Sequence, residues 1–198
     1  MLTLYTANTP NGQKITIALQ ELALAHQTFH IDLAGGEQHR PPFCEMSPNH
    51  KIPLLVQDGT PIFESGAILL HLAEQNGRLL EARSEVLQWL FLQVASIGPM
   101  LGQLWYFRHG TQERNAQALQ RYGREAMRLY GVFEERLREQ QYLAGKAYSI
   151  ADIAAFPWLR TYEELGLPIS DFPAVADWLA RIAAREAVQR GLAEAARG

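Results

Sequence analysis

A single cysteine, Cys44, stands in 198 residues. No disulfide can form within the chain, and a reducing, cytoplasmic setting is expected. No apolar run approaches the roughly 18 residues of a membrane span. The opening Met1-Leu2-Thr3-Leu4-Tyr5 lacks the order of a secretory leader, so no membrane partner is expected. An excess of charge of either sign is lacking as well. Eighteen Lys and Arg against 21 Asp and Glu leave a net −3, which offers no basic footprint for nucleic acid. There is no internal repeat and no low-complexity tract. At 47% hydrophobic and 20% charged residues, the composition is that of a globular protein with one large domain or two small ones.

The most informative stretch runs from Ser47 to Gly66. Ile52-Pro53 precedes the apolar run Leu54-Leu55-Val56, Asp58-Gly59 supplies a hairpin turn, and Ile62-Phe63 opens the return strand. Glu64-Ser65 then begins a helix that carries Ala67-Ile68-Leu69-Leu70. Two features point to chemistry. Proline cannot donate to a ladder, so Pro53 before a strand leaves the Ile52 backbone groups for an outside partner. A serine and unpaired N–H groups at a helix start suit a carboxylate, because that end of a helix is partly positive.

Upstream, Leu2-Thr3-Leu4-Tyr5 reads as a strand that stops at the turn and cap residues Thr9-Pro10-Asn11-Gly12. Ile15, Ala18, Leu19 and Leu22 recur at helical spacing. Phe29, Ile31 and Leu33 alternate as a second strand, and Asn76-Gly77 closes the helix after the hairpin. The order β-α-β-(α)-β-β-α over residues 1–77 implies a four-stranded mixed sheet with helices on it. Residues 78–85 form a polar connector, and 86–198 carry only helical signals. Val86 to Phe107 is one apolar helical length with a kink expected at Gly98-Pro99. Ser149 with Asp152 reads as a capping box, and Arg181 to Arg197 as a mostly solvated helix.

Each feature has a plain structural reading. Thr-Pro-Asn-Gly alone is a turn and helix cap, and Glu64-Ser65 serves as a cap whatever else it does. Tyr5, inside the first strand, reads as a packed tyrosine, and Cys44 beside Phe43 as buried filler. Trp105, Tyr106, Phe107 and Trp158 read first as helix core. His26 and His30 fall in a strand with no third ligand in view, so no metal is expected.

Together these pieces resemble the cytosolic glutathione transferases over essentially the whole chain. The resemblance implies an α/β thioredoxin-like N-terminal domain plus an all-α C-terminal domain, the glutathione transferase fold. Thr9-Pro10-Asn11-Gly12 with Lys14-Ile15, then Lys51-Ile52-Pro53, Phe63-Glu64-Ser65-Gly66 and Gly98-Pro99-Met100-Leu101-Gly102-Gln103 are most similar to the bacterial nu class. Its members are glutathione-dependent disulfide reductases, and a fungal nitrogen regulator shares much of the pattern. By this resemblance Pro53 is cis and turns the Ile52 backbone toward the cysteinyl part of glutathione. Glu64 faces the γ-glutamyl ammonium and Ser65 its carboxylate, while Gln38 and Lys51 hold the glycyl end. Arg121 reaches toward glutathione in the partner subunit of a homodimer. Thr9 and Asn11 stand where other classes place a catalytic Ser or Cys.

The sulfur then decides the chemistry. A thiol of pKa about 8.5 is only ~3% ionised at pH 7, so full ionisation gains at most roughly thirtyfold. Lowering the pKa by two units takes about 2.7 kcal/mol, within reach of two or three hydrogen bonds at a helix N-terminus. The Thr9 hydroxyl and the Asn11 N–H or amide are the expected donors, and glutathione supplies the nucleophile. The resulting expectation is reduction of small disulfides, with one or two glutathiones or glutathione disulfide bound. Conjugation of glutathione to electrophiles and a non-catalytic glutathione-binding regulator stand as alternatives.

Overall fold

The computed structural model describes residues 1–197. They divide into two compact units, Met1–Leu80 together with the segment from Ala184 onward, and Glu81–Ala183.

The first unit is built on β1 (Leu2–Thr6), β2 (His26–His30), β3 (Leu54–Gln57) and β4 (Thr60–Phe63), in the order β2-β1-β3-β4. β1 runs parallel to β2 and antiparallel to β3, and β3 antiparallel to β4. α1 (Pro10–Glu21) makes the crossover from β1 to β2, and α3 (Ser65–Asn76) follows the hairpin. A short α2 (Phe43–Met46) lies between β2 and β3. This is the expected thioredoxin-like order. The β3–β4 turn places Asp58 at φ 51 and Gly59 at φ 86, the two positive values that a twisted two-residue hairpin needs. Gly77 at φ 60 ends α3, also as expected.

Strand alternation sorts the core into two layers. Tyr5 pairs with Leu54 on one face, where they pack with Ile31, Phe43 and Val56. Leu4 and Leu55, the next pair along, face the other way and are fully buried. Each such leucine contributes roughly 1.5–3 kcal/mol. Cys44 is half-buried rather than filling this core, because Phe43 takes the inward position of the single turn of α2.

The second unit holds α4 (Arg83–Leu92), α5 (Gly98–Trp105), α6 (Ala116–Glu139), α7 (Ile150–Leu159) and α8 (Pro173–Ala183). The expected kink before Pro99 is a π-helical stretch over Gln93–Ile97, with the Gln93 side chain fully buried. The Ser149–Asp152 capping box is formed. Trp105 and Tyr106 are 45% and 50% exposed, not core: α5 ends at Trp105 and the backbone turns there into a second π-helical stretch at Tyr106–Gly110.

The end of the chain differs most from expectation. Arg181 to Arg197 is broken between Ala183 and α9 (Glu186–Ala195), and α9 packs against α1. Val188, Gly191 and Ala195 recur at three- and four-residue steps and are buried there. A Cβ on Gly191 would stand 2.6 Å from Ile17 Cα, so the bare glycine lets the two helices meet.

Candidate active site

The first turn of α1 is held where β1 ends. Thr9 is its N-cap, with Oγ1 accepting from the Gly12 N–H at 3.2 Å, and Pro10 opens the helix. A Cβ on Gly12 would come within 2.1 Å of Ala7 O and 2.5 Å of Thr6 Oγ1. Only glycine lets the turn sit this close to the strand, and this contact sets the position of Thr9 and Asn11.

Opposite that turn lies the loop that leads into β3. Ser47 is fully buried, and its Oγ donates to the Lys51 carbonyl at 3.2 Å, closing the loop on itself. The Ile52–Pro53 bond is cis. Ile52 stays outside the ladder, whose first pairs are Leu54 with Tyr5 and with Phe63. The third wall is the start of α3. Glu64 holds φ 70, ψ 117 and caps the helix without a side-chain bond, so the capping expected of Glu64-Ser65 is not made. Such a backbone in a non-glycine residue is held by its surroundings. The Ser65 oxygen is engaged elsewhere: it accepts from Lys14 Nζ at 3.2 Å.

These three walls line an open cleft. Six of the residues singled out in the sequence line it: Asn11, Lys51, Ile52, Pro53, Glu64 and Ser65. Thr9 and Gln38 are outside the lining. Thr9 caps the helix that carries Asn11. Gln38 sits in a single 3₁₀ turn (Glu37–His39), where its Nε2 reaches the Leu33 carbonyl at 3.5 Å and its buried Oε1 meets no protein donor. Arg121 is exposed on α6 in the second unit.

Ser47, Asn49 and Phe63 also line the cleft, and sequence reasoning gave them no role. Lys14 enters the sequence reading only as part of the Lys14-Ile15 motif, with no role in the site. It is 1% exposed. Burial pulls its ammonium from 10.5 down to about 7, and the Glu64 carboxylate acts in the opposite sense. A signal was present, since Lys14 precedes Ala18 by four residues on the apolar stripe of α1. Among the described residues, no three His, Cys, Asp or Glu side chains converge as a metal site would need, and no helix is long and apolar enough to cross a membrane.

A β2-β1-β3-β4 sheet carrying this cleft, joined to an all-helical unit, defines a glutathione transferase-type, thioredoxin-like class of protein. The sequence matches the glutathione S-transferase N-terminal domain over residues 1–74 and the glutathione S-transferase C-terminal domain over residues 97–186, and the chain belongs to this family. It is 44% identical to the disulfide-bond oxidoreductase YfcG of Escherichia coli, across 100% of this chain and 97% of that protein. A crystal structure of a glutathione transferase from Burkholderia graminis, with two glutathione molecules bound per subunit, superposes with a TM-score of 0.91 at 40% identity. That match covers 100% of this chain and 89% of the other. The transcriptional regulator URE2 of Saccharomyces cerevisiae is 32% identical over 92% of this chain and 65% of its own length.

Proposed function

We propose that the protein reduces small disulfides at the expense of glutathione, as a nu-like member of its family. The observation that carries this reading is the convergence of Asn11, Ile52, Glu64 and Ser65 on one cleft in a chain 44% identical to a disulfide-bond oxidoreductase. Glu64 takes the γ-glutamyl ammonium, and Ser65 with the first N–H groups of α3 takes the adjacent carboxylate. The Ile52 backbone pairs with the cysteinyl residue as one more strand would. Lys51 and Gln38 serve the glycyl carboxylate, and in a cytoplasmic homodimer Arg121 serves the glutathione of the partner subunit.

The sulfur then lies at the N-terminal end of α1. Thr9 Oγ1 already accepts from Gly12, so its own hydroxyl proton is the one left to donate to a thiolate. Asn11 supplies a second donor. The thiolate attacks one sulfur of the substrate disulfide, forming a mixed disulfide and expelling the first thiolate. A second glutathione attacks the glutathionyl sulfur of that adduct. Glutathione disulfide forms, the second thiolate leaves, and both thiolates take protons from solvent. Two glutathiones are oxidised for each disulfide reduced, in keeping with the two molecules bound per subunit in the Burkholderia relative. Cys44 stands outside the cleft lining and contributes no sulfur.

Conjugation to electrophiles would use the same thiolate. A regulator that binds glutathione without turnover is the reading that the URE2 likeness favours. Steady-state rates with 2-hydroxyethyl disulfide and with chlorodinitrobenzene, for the wild type and for Thr9→Ala/Asn11→Ala, separate the three. Disulfide reduction is expected to be the faster reaction and to drop by roughly tenfold or more in the double variant. Equal rates in both proteins would remove the two donors from the mechanism, and tight glutathione binding with no turnover would favour the regulator. Equilibrium sedimentation tests the dimer.

A further inference from the structure

Lys14 is a fully buried cation that the chemistry above does not use. Its Nζ donates to Ser65 Oγ at 3.2 Å, and Ser65, only 7% exposed, still reaches the wall of the cleft. That bond has a direction. An ammonium can only donate, so the serine oxygen must accept, and its single hydroxyl proton is left to point outward. A serine without such a partner presents a lone pair as readily as a proton. Lys14 therefore turns an ambivalent hydroxyl into a donor, and it sets a positive charge behind the first turn of α3, where the helix end is already partly positive.

α1 packs against α3 and α9. At the N-cap of α3 the group acting on Lys14 is Glu64, itself in the cleft wall, and His71 within α3 is bonded to Gln57 at 2.7 Å. From α9, Glu194 is occupied by Gln20, His26 and Thr28, and Arg190 by Glu186 and Gln20. Arg185, just before α9, is paired with Glu21.

We propose that Lys14 is the positioning residue of this cleft, fixing the Ser65 hydroxyl as a donor so that binding of an α-amino-acid carboxylate and protonation of Lys14 form one linked event. The proposal rests on the reading that the cleft takes the γ-glutamyl end of glutathione. Without ligand the ammonium titrates at about 7. A carboxylate over Ser65 stabilises the charged form, so the bound state holds more protons than the empty one above that pH. Binding then takes up a proton, and affinity falls as pH rises, by up to tenfold per unit between the two pKa values.

The test uses calorimetry of the intact protein with S-methylglutathione, which carries no thiol to ionise. Titrations at pH 7.5 in two buffers of different ionisation enthalpy count the protons exchanged. The wild type is expected to take up about half a proton or more per site, and Lys14→Met none. Lys14→Met is also expected to bind at least roughly tenfold more weakly at pH 6.5 and to approach the wild type at pH 9. Because Lys14 acts largely through Ser65, adding Lys14→Met to Ser65→Ala is expected to cost clearly less affinity than Lys14→Met costs alone. If Lys14→Met does not fold, the wild-type uptake and its persistence in His39→Gln/His50→Gln carry the test, these being the two histidines whose Nδ1 atoms lie 3.4 Å apart beside the cleft residues Asn49 and Lys51. Tight binding with no proton uptake, uptake lost with the two histidines, or additive losses in the double variant would overturn the role of Lys14 alone. A wild type that binds neither glutathione nor its S-methyl form would remove the functional reading together with the proposal.

Discussion

Glu194, on the last helix, accepts a 2.7 Å hydrogen bond from His26 at the start of β2. The other ring nitrogen of His26 faces the Leu24 carbonyl at 2.8 Å, so both bonds are made only when both ring nitrogens carry protons. Thr28 and Gln20 donate to the same carboxylate at 2.6 and 2.9 Å. Burial pushes this carboxyl up, but the three hydrogen bonds and the charge of His26 outweigh it and hold it below its usual 4.5. The sign follows. A carboxyl that is more acidic in the folded chain stabilises the fold above its unfolded pKa, and that contribution is lost as pH falls through the folded value. Urea midpoints measured from pH 6 down to pH 3 are therefore expected to fall, and α9 to exchange its amides faster. In Glu194→Gln the acid limb becomes shallower. An unchanged limb would mean that this clasp does not anchor α9.

Gly191 and Gly131 should respond to alanine with opposite signs. At Gly191 the added carbon meets Ile17 backbone at 2.6 and 2.7 Å, and neither helix can yield without moving the other. Gly191→Ala is expected to cost about 1–3 kcal/mol in urea denaturation. At Gly131 in α6 the carbon meets nothing within 4 Å, so Gly131→Ala is expected to gain about 0.5–1 kcal/mol.

Thr9 has two separable jobs. Its oxygen caps α1, and in the proposed function its proton serves the thiolate. Thr9→Asp keeps an acceptor at the cap and adds a charge that suits the helix start, but it donates nothing and repels an anion. The melting temperature is expected to hold or rise while disulfide reduction falls by roughly tenfold or more. Equal retention of activity would separate the threonine from the sulfur.

Asp152 is fully buried and accepts four bonds near 3.0 Å, from the Leu143 and Ser149 N–H groups, Ser149 Oγ and Trp178 Nε1. Asp152→Ala strands those donors without water. The expected loss is about 3 kcal/mol or more, read as a lower urea midpoint with an altered near-ultraviolet signal from Trp178. Because the residue's work is folding, activity per folded molecule should hold.

The features legible in the sequence are those set by neighbours along the chain. Asp58-Gly59 forms a tight turn and Ser149 with Asp152 a cap because two to four residues contain all the needed chemistry. The order of strands and helices in the first unit follows from the same local signals. Trp105 and Tyr106, at the junction of α5 with the second π-helical stretch, read as core from their helical spacing yet lie exposed.

The chain's own order of residues therefore determined the thioredoxin-like arrangement and drew attention to Asn11, Ile52, Glu64 and Ser65 as cleft residues. Tertiary structure alone decided which atom faces which. Ser65 reads as a cap in sequence, yet its oxygen belongs to a lysine 51 positions earlier, and a helix that looks solvated is fastened to β2 from 168 positions away. Local propensity describes a residue's bonds to its near neighbours. A hydrogen bond or a glycine contact between distant segments exists only once the fold has carried both partners to the same place.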